Sequence, residues 1–256
     1  MKRQIFSYLE VAVIAIFTAL TSCDEENGKY PVGIKLLDTE TSGYYSRKFM
    51  YDNQYRMKEI WTYSGDILFE KSIIAYIDED LTKFESAYMN EDGEFVVVDT
   101  RNYVKNGNTI SYSMNVEIIE GEGEGNQNIN NIITLNSDGF PEKLEWILLN
   151  YSSVSSFTYT NGNLTKYLYD TAFSAAMFDP GEKNYRYSDE RSAFSGCNTP
   201  KWFMFLRYRE MASHNAVTSE SFPDHTPYSY SYKFDSDGFP TKISHEGGIT
   251  YYKYKN

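Results

Sequence analysis

From Tyr228 to Phe234 every second residue is aromatic, Tyr228-Ser229-Tyr230-Ser231-Tyr232-Lys233-Phe234, and an extended backbone is what keeps such a set on one side. A β-strand sends successive side chains to opposite faces, whereas 3.6 residues per turn would scatter them around a helix. The run Ile110-Ser111-Tyr112-Ser113-Met114-Asn115-Val116-Glu117-Ile118 repeats the pattern with mixed apolar residues. Both are half-buried strands in this reading. Between such runs fall Asp52-Asn53, Ser64-Gly65-Asp66, Asp78-Glu79-Asp80, Asp92-Gly93, Asn106-Gly107, Asp138-Gly139, Asn161-Gly162 and Asp237-Gly238. Gly, Asn and Asp tolerate the positive φ that tight hairpins demand, so neighbouring strands are expected to run antiparallel. The predicted fold is all-β: a large antiparallel meander of repeated hairpins, curved or partly closed like a barrel.

Some hairpins look like copies of one unit. Asn136-Ser137-Asp138-Gly139-Phe140-Pro141-Glu142-Lys143-Leu144 and Asp235-Ser236-Asp237-Gly238-Phe239-Pro240-Thr241-Lys242-Ile243 share polar-Ser-Asp-Gly-Phe-Pro-x-Lys-aliphatic, with looser versions from Tyr51 to Ile60 and from Tyr159 to Tyr167. Each copy has an apolar face that it cannot bury alone, so copies stacked side by side supply the core. Pro141 and Pro240 follow the turn, where a strand's first residue needs no amide donor. One stretch breaks the rhythm. Thr199 as N-cap and Pro200 as first helical residue, followed by Trp202, Phe205, Leu206 and Arg209 at helical spacing, predict a short helix over about 201–211 that plugs or covers one end of the sheet. A buried strand through Trp202-Phe203-Met204-Phe205-Leu206 competes with it, because so short an apolar run fits either period.

The first 23 residues address the chain rather than fold it. Lys2 and Arg3 precede the apolar run Val11 to Leu20, and Leu20-Thr21-Ser22-Cys23 closes the segment. A charged start, a short apolar stretch and small residues before the cut make a secretory signal, and the run is too short to span a bilayer core of about 30 Å. The last four residues read as a lipobox, with the Cys23 thiol as the group that takes the lipid, so residues 1–22 are a signal peptide and the mature chain is anchored to a membrane through its acylated N-terminus. Residues 23–43 read as the acylated cysteine and an acidic tether, and residues 44–256 as a single β-meander domain. Asp24-Glu25-Glu26 resemble the surface-export tag of Bacteroidota lipoproteins, and outer membrane or cell surface is the expected location; an inner-membrane retention signal at Asp24 and a plain solvated acidic linker are the alternatives.

The Ser-Asp-Gly-Phe-Pro-x-Lys turns, the Tyr-x-Asn-Gly-Asn-Leu-Thr-Lys segment from Tyr159, Ser213-His214-Asn215-Ala216-Val217 and the C-terminal Tyr251-Tyr252-Lys253-Tyr254 together resemble a family of Bacteroidota lipoproteins of unknown function, described as porin-like in fold. The resemblance covers roughly residues 44 to 256 and implies a broad, curved antiparallel sheet. It carries over no catalytic residues. Phe173 to Cys197 departs from the hairpin rhythm.

Charge excludes one class of partner. The chain has 24 Lys and Arg against 36 Asp and Glu; without Lys2, Arg3 and Glu10 the mature chain keeps 22 against 35, a net charge of −13. A polyanion gains nothing from such a surface, so nucleic acid is not an expected partner, whereas a neutral glycan or a protein is. With Cys23 acylated, Cys197 is a lone thiol and no internal disulfide forms. His214, His225 and His245 fall at no standard zinc spacing. Asp235-Ser236-Asp237-Gly238 has the opening of a calcium loop, but Phe239, Pro240 and Ile243 stand where oxygen donors are needed. Ser195-Gly196-Cys197 is no nucleophile elbow. Asp170-Thr171-Ala172 resembles a short O-glycosylation motif.

The sequence therefore assigns no catalytic residues, no metal and no cofactor, and a non-enzymatic binding or structural module is the expected function. The 24 Tyr, 16 Phe and 3 Trp are the remaining clue. Tyr favours half-wet positions, and Tyr228, Tyr230 and Tyr232 in a row make a candidate ligand platform that could stack on sugar rings. Trp61, Trp146 and Trp202 are expected in the core. A transmembrane barrel and a carboxylate-dependent glycoside hydrolase are the alternatives.

Overall fold

The computed structural model describes residues 34–118, 125–148, 151–169, 181–223 and 225–255. The strands are β1 (Leu36–Ser42), β2 (Tyr45–Tyr51), β3 (Met57–Ser64), β4 (Ile67–Ile77), β5 (Asp80–Met89), β6 (Phe95–Asn102), β7 (Val104–Asn106), β8 (Thr109–Ile118), β9 (Gly125–Leu135), β10 (Pro141–Leu148), β11 (Tyr151–Thr160), β12 (Asn163–Tyr169), β13 (Gly181–Arg191), β14 (Asn215–Ser221), β15 (Tyr228–Ser229), β16 (Ser231–Phe234), β17 (Pro240–His245) and β18 (Gly248–Lys255). They form two nine-stranded antiparallel sheets. The first runs β16-β17-β18-β1-β2-β3-β4-β5-β6 and the second β15-β14-β13-β12-β11-β10-β9-β8-β7, so nearly every strand pairs with its neighbours in sequence.

The sheets do not close into one barrel. They meet at two corners, where a strand leaves one ladder for the other. Tyr103 alone separates β6 from β7, and its amide still donates to Thr82 O (2.8 Å); Tyr230 alone separates β15 from β16, and its amide donates to Thr218 O (2.9 Å). Strands that switch sheets at a bend are how two layers share a corner without exposing a long edge.

The turns behave as their residues dictate. In 52–56, 90–94, 136–140 and 235–239 the first residue is Asp or Asn, and its Oδ1 accepts two backbone amides: Gln54 and Arg56, Asp92 and Glu94, Asp138 and Phe140, Asp237 and Phe239, all at 2.8–3.1 Å. The fourth residue takes positive φ in each, at Tyr55 (63°), Gly93 (81°), Gly139 (79°) and Gly238 (79°). An Asx cap supplies the donor pairing that the bend removes from the ladder. Asn161-Gly162, grouped with these by sequence, makes instead a two-residue hairpin with both φ positive (52° and 76°). Pro141 and Pro240 open β10 and β17.

The predicted helix is α1 (Lys201–Tyr208), continued by a 3₁₀ turn at Arg209–Ala212. Trp202, Phe203, Met204 and Phe205 are all buried, so the helix is enclosed by both sheets instead of lying on one. Its cap differs from expectation. Pro200 is the N-cap, and the Thr199 hydroxyl serves the sheet: it accepts the Met57 amide (2.7 Å) and the Cys197 thiol (3.1 Å). Cys197 is a free, buried cysteine whose thiol burial pushes up in pKa.

The segment 192–214 closes one end of the body. Asn198 donates to Tyr55 O (3.0 Å) and Gln54 O (2.9 Å), the Leu164 amide donates to Ser213 Oγ (3.1 Å), and the His214 amide donates to Gly162 O (3.2 Å), which ties the plug to turns of both sheets. At Gly196 an added Cβ would lie 2.3 Å from Lys35 O, so only glycine lets the backbones approach. The crevice lined by Ser192, Ala193, Met211, Ala216, Val217, Tyr232 and Pro240 has no room for a water molecule. The plugged end is the floor.

The sheet starts earlier than expected. β1 occupies Leu36–Ser42, with Leu36 and Leu37 buried, inside the stretch assigned to the tether. Its sequence, Leu-Leu-Asp-Thr-Glu-Thr-Ser, shows little alternation because a register shift falls between Leu37 and Thr39.

Candidate functional site

Away from the floor, the inner faces of the sheets change chemistry. Residues directly opposite one another in an antiparallel pair share a face. The buried row Phe49–Ile60–Ser72–Ser86, whose Phe49 ring packs on Phe194 of the plug (5.6 Å), already passes from apolar to hydroxyl. The next row outward reads Tyr252–Glu40–Arg47–Thr62–Glu70–Tyr88, every step a direct cross-strand pair from β18 through β1 to β5. Tyr252 and Thr62 are buried, which fixes the row as inward.

The row is internally bonded. Arg47 donates to Glu40 Oε2 (3.3 Å), Thr62 Oγ1 donates to Glu70 Oε2 (3.0 Å) and Ser86 Oγ donates to Glu70 Oε1 (2.9 Å). Burial raises the Glu40 carboxyl above its ordinary pKa against the pull of Arg47. Even so, the Arg47 side chain is 48% exposed and Tyr88 43%. Inward side chains that stay this wet mean that the space between the sheets is open to solvent at this level.

Above the row lies an arc of rings. Tyr45 is two residues from Arg47 and four from buried Phe49, hence on the inner face, and is 57% exposed. Its ring lies 6.1 Å from Phe69, whose ring lies 6.3 Å from Tyr88. Tyr44 extends the contact at 6.4 Å.

The opposite wall belongs to the second sheet. Tyr112–Asn131–Trp146–Ser153 is a cross-strand row in which Tyr112 and Asn131 are buried and Trp146 is 38% exposed. Phe157–Tyr167–Lys183 is another, its first two rings stacked at 5.0 Å. Lys183 donates to Glu220 Oε1 (2.6 Å), and Glu220 Oε2 accepts the Tyr230 hydroxyl (3.2 Å). The helix contributes from below: Arg207 is exposed, 4.7 Å over the Phe84 ring, and Arg209 stands 5.8 Å over Tyr167. Burial raises the Glu210 carboxyl in pKa, and Glu220 adds to the effect. The resulting basin has a packed aromatic floor, a charged and hydroxylated middle, and a rim of half-wet rings.

The predicted platform is divided. Tyr228 ends up opposite Glu220, 46% exposed, with its ring edge-on to Phe222 at 6.1 Å. Tyr230 is the corner residue. Tyr232 belongs to the other sheet, stacks on Phe234 (5.4 Å, 19° between planes) and buries its hydroxyl without a partner among the described residues. The three alternate inward as expected, but the strand splits at Tyr230 and only Tyr228 offers an open ring. Of the tryptophans, Trp202 is core, Trp146 lines the basin and Trp61 is half-buried under Lys71 (5.0 Å), its indole donating to Glu59 (2.9 Å).

Among the described residues no three His, Cys, Asp or Glu gather as a metal site. Lys35 occupies the position weighed for calcium, paired with Asp235 (2.8 Å) and Asp237 (2.6 Å). His214, His225 and His245 are exposed. Cys23, Asp24 to Glu26 and Asp170-Thr171-Ala172 lie outside the described residues.

The fold and basin define a plugged, two-sheet antiparallel β-meander. Among solved structures, the chain is similar to a porin-like protein from Bacteroides uniformis ATCC 8492, known from a crystal structure at 2.32 Å resolution. The TM-score is 0.40 and the identity 12%, over 90% of this chain and 100% of that one. No protein-family model matches the sequence, and no curated protein does.

Proposed function

We propose that the protein is a lipid-anchored, non-enzymatic binding module of the outer membrane or cell surface, one of the Bacteroidota lipoproteins that its turns resemble, and that the basin is its ligand site. The observation that carries this is the polar inner row from Glu40 to Tyr88, wet at Arg47 and Tyr88, standing over a floor sealed by 192–214. A space that is open at one end among the described residues and packed at the other suits capture better than passage. Two further features support the reading. The outer faces carry ion pairs such as Lys143–Glu145 (2.8 Å) and Lys166–Glu182 (2.7 Å), which a lipid-facing band would exclude. Glu40 on β1 and Glu70 on β4 stand three strands apart, about 14 Å between backbones at the usual strand spacing, and each carboxylate is already engaged, Glu40 by Arg47 and Glu70 by Thr62 and Ser86.

Anchoring is tested by growth in labelled palmitate: the wild-type chain should take up label, and Cys23→Ser should not and should be released from membranes. Label entering Cys23→Ser, or none entering the wild type, would remove the anchor from the proposal.

A further inference from the structure

The basin's charge balance and its rings point to a class of ligand. Resting on the binding reading above, we propose that the basin takes a segment of a neutral oligosaccharide, with Tyr45, Phe69 and Tyr88 as its stacking surface and Glu40, Arg47 and Glu70 as its hydroxyl partners.

Charge is the first reason. The whole chain carries −12, yet among the described residues the basin combines Glu40, Glu70, Asp99, Glu210 and Glu220 with Arg47, Arg101, Lys183, Arg207 and Arg209, five of each sign. A lining so balanced in charge favours neither an anion nor a cation overall. It does hold many donors and acceptors, and an uncharged ligand that presents both kinds at close intervals satisfies it without leaving a buried charge unpaired. Vicinal hydroxyls do this: one donates to a carboxylate while its neighbour accepts from a guanidinium.

The rings are the second reason. Tyr45–Phe69–Tyr88 is an arc along one wall, with Tyr45 and Tyr88 roughly half exposed and adjacent centroids 6.1 and 6.3 Å apart. Aromatic faces kept wet at the mouth of a polar site offer apolar area to the C–H face of a sugar ring while leaving its hydroxyls for the row beneath. An extended peptide is the poorer fit. The wall is made of β2, β4 and β5, interior strands whose backbone groups are already paired on both sides, so no strand can be added there.

The test is titration calorimetry of the mature chain with neutral oligosaccharides of glucose, mannose, galactose or xylose, alongside an acidic oligosaccharide and an unrelated peptide pool. One neutral sugar should bind with little salt dependence. Tyr45→Ala combined with Tyr88→Ala should weaken binding by about tenfold or more, and Arg47→Ala should weaken it as well. Tyr251→Ala, an exposed ring whose chain neighbour Tyr252 points inward, should leave it unchanged. Circular dichroism confirms that each variant folds. Silence across all neutral sugars, binding of only the acidic sugar or the peptides, or binding untouched by the double variant would overturn the proposal. A second measurement separates this from failure of the basin itself. Arg47→Cys should react rapidly with a small uncharged maleimide, against the slow background of buried Cys197. Rapid reaction with no sugar bound would sink the ligand class alone; an unreactive Arg47→Cys would sink the open basin and the sugar with it.

Discussion

Thr199→Val tests whether the plug is fastened to the sheet by hydrogen bonds or merely packed against it. Thr199 is buried, and its hydroxyl is the acceptor for the amide of Met57, the first residue of β3, at 2.7 Å. Valine keeps the shape and removes the acceptor, so the amide is left unpaired where water does not reach. Such a group costs about 1–3 kcal/mol, a sizeable part of the roughly 5–15 kcal/mol that holds a domain together. For a body of this size each kcal/mol lowers the melting temperature by about 2–4 °C, so a fall of about 2–12 °C is expected. Urea unfolding followed by tryptophan fluorescence should show the midpoint lowered with its slope unchanged. Hydrogen exchange locates the effect: the Met57 amide should lose protection in Thr199→Val and keep it in Thr199→Ser, which retains the hydroxyl. A valine variant with wild-type midpoint and an equally protected Met57 amide would refute the claim that this bond joins plug to wall.

Two further outcomes follow from the turns and the basin. Asn136→Ala removes the acceptor for the Asp138 and Phe140 amides and should cost about 1 kcal/mol, as loss of a cap does, while Asn136→Asp should cost less; thermal melting distinguishes them. Glu40→Gln should stabilise the protein at neutral pH. The Glu40 carboxyl is raised above its ordinary 4.5 by burial, so the folded state binds the proton more tightly than the unfolded chain, and stability falls as pH rises through the window above 4.5. The variant should therefore melt higher than wild type at pH 7, with the gap closing as pH drops below that window; a gap that is constant in pH, or reversed, would contradict the assignment.

The hairpins were legible in the sequence because their information is local. Asx caps, positive-φ glycines and Tyr-x-Tyr alternation each act within a few residues, and the helix showed itself by breaking that rhythm. What stayed hidden needed register across strands. Glu40, Arg47 and Glu70 look like solvated residues when read along β1, β2 and β4, since a polar residue that faces a wet interior has the same signature as one that faces outside. Counting back from the 52–56 turn puts Arg47 opposite Trp61, an outward residue, because the register shift between Met50 and Tyr51 that moves its partner to Thr62 leaves no local mark. β1 was missed because its register shift erases alternation. The tyrosine row divides for a related reason: no local feature announces that the strand changes sheets at Tyr230.

β1 lies beside β18, and the plug that grips Met57 comes from a residue 142 positions further along. Neither seam can be sewn before these distant residues have been made, although the hairpins between neighbouring strands can form earlier. Contacts between such distant stretches make for slow folding and a long-lived unfinished state. Until β18 arrives, β1 is unpaired on that side, a row of free amides and carbonyls on which another chain could add.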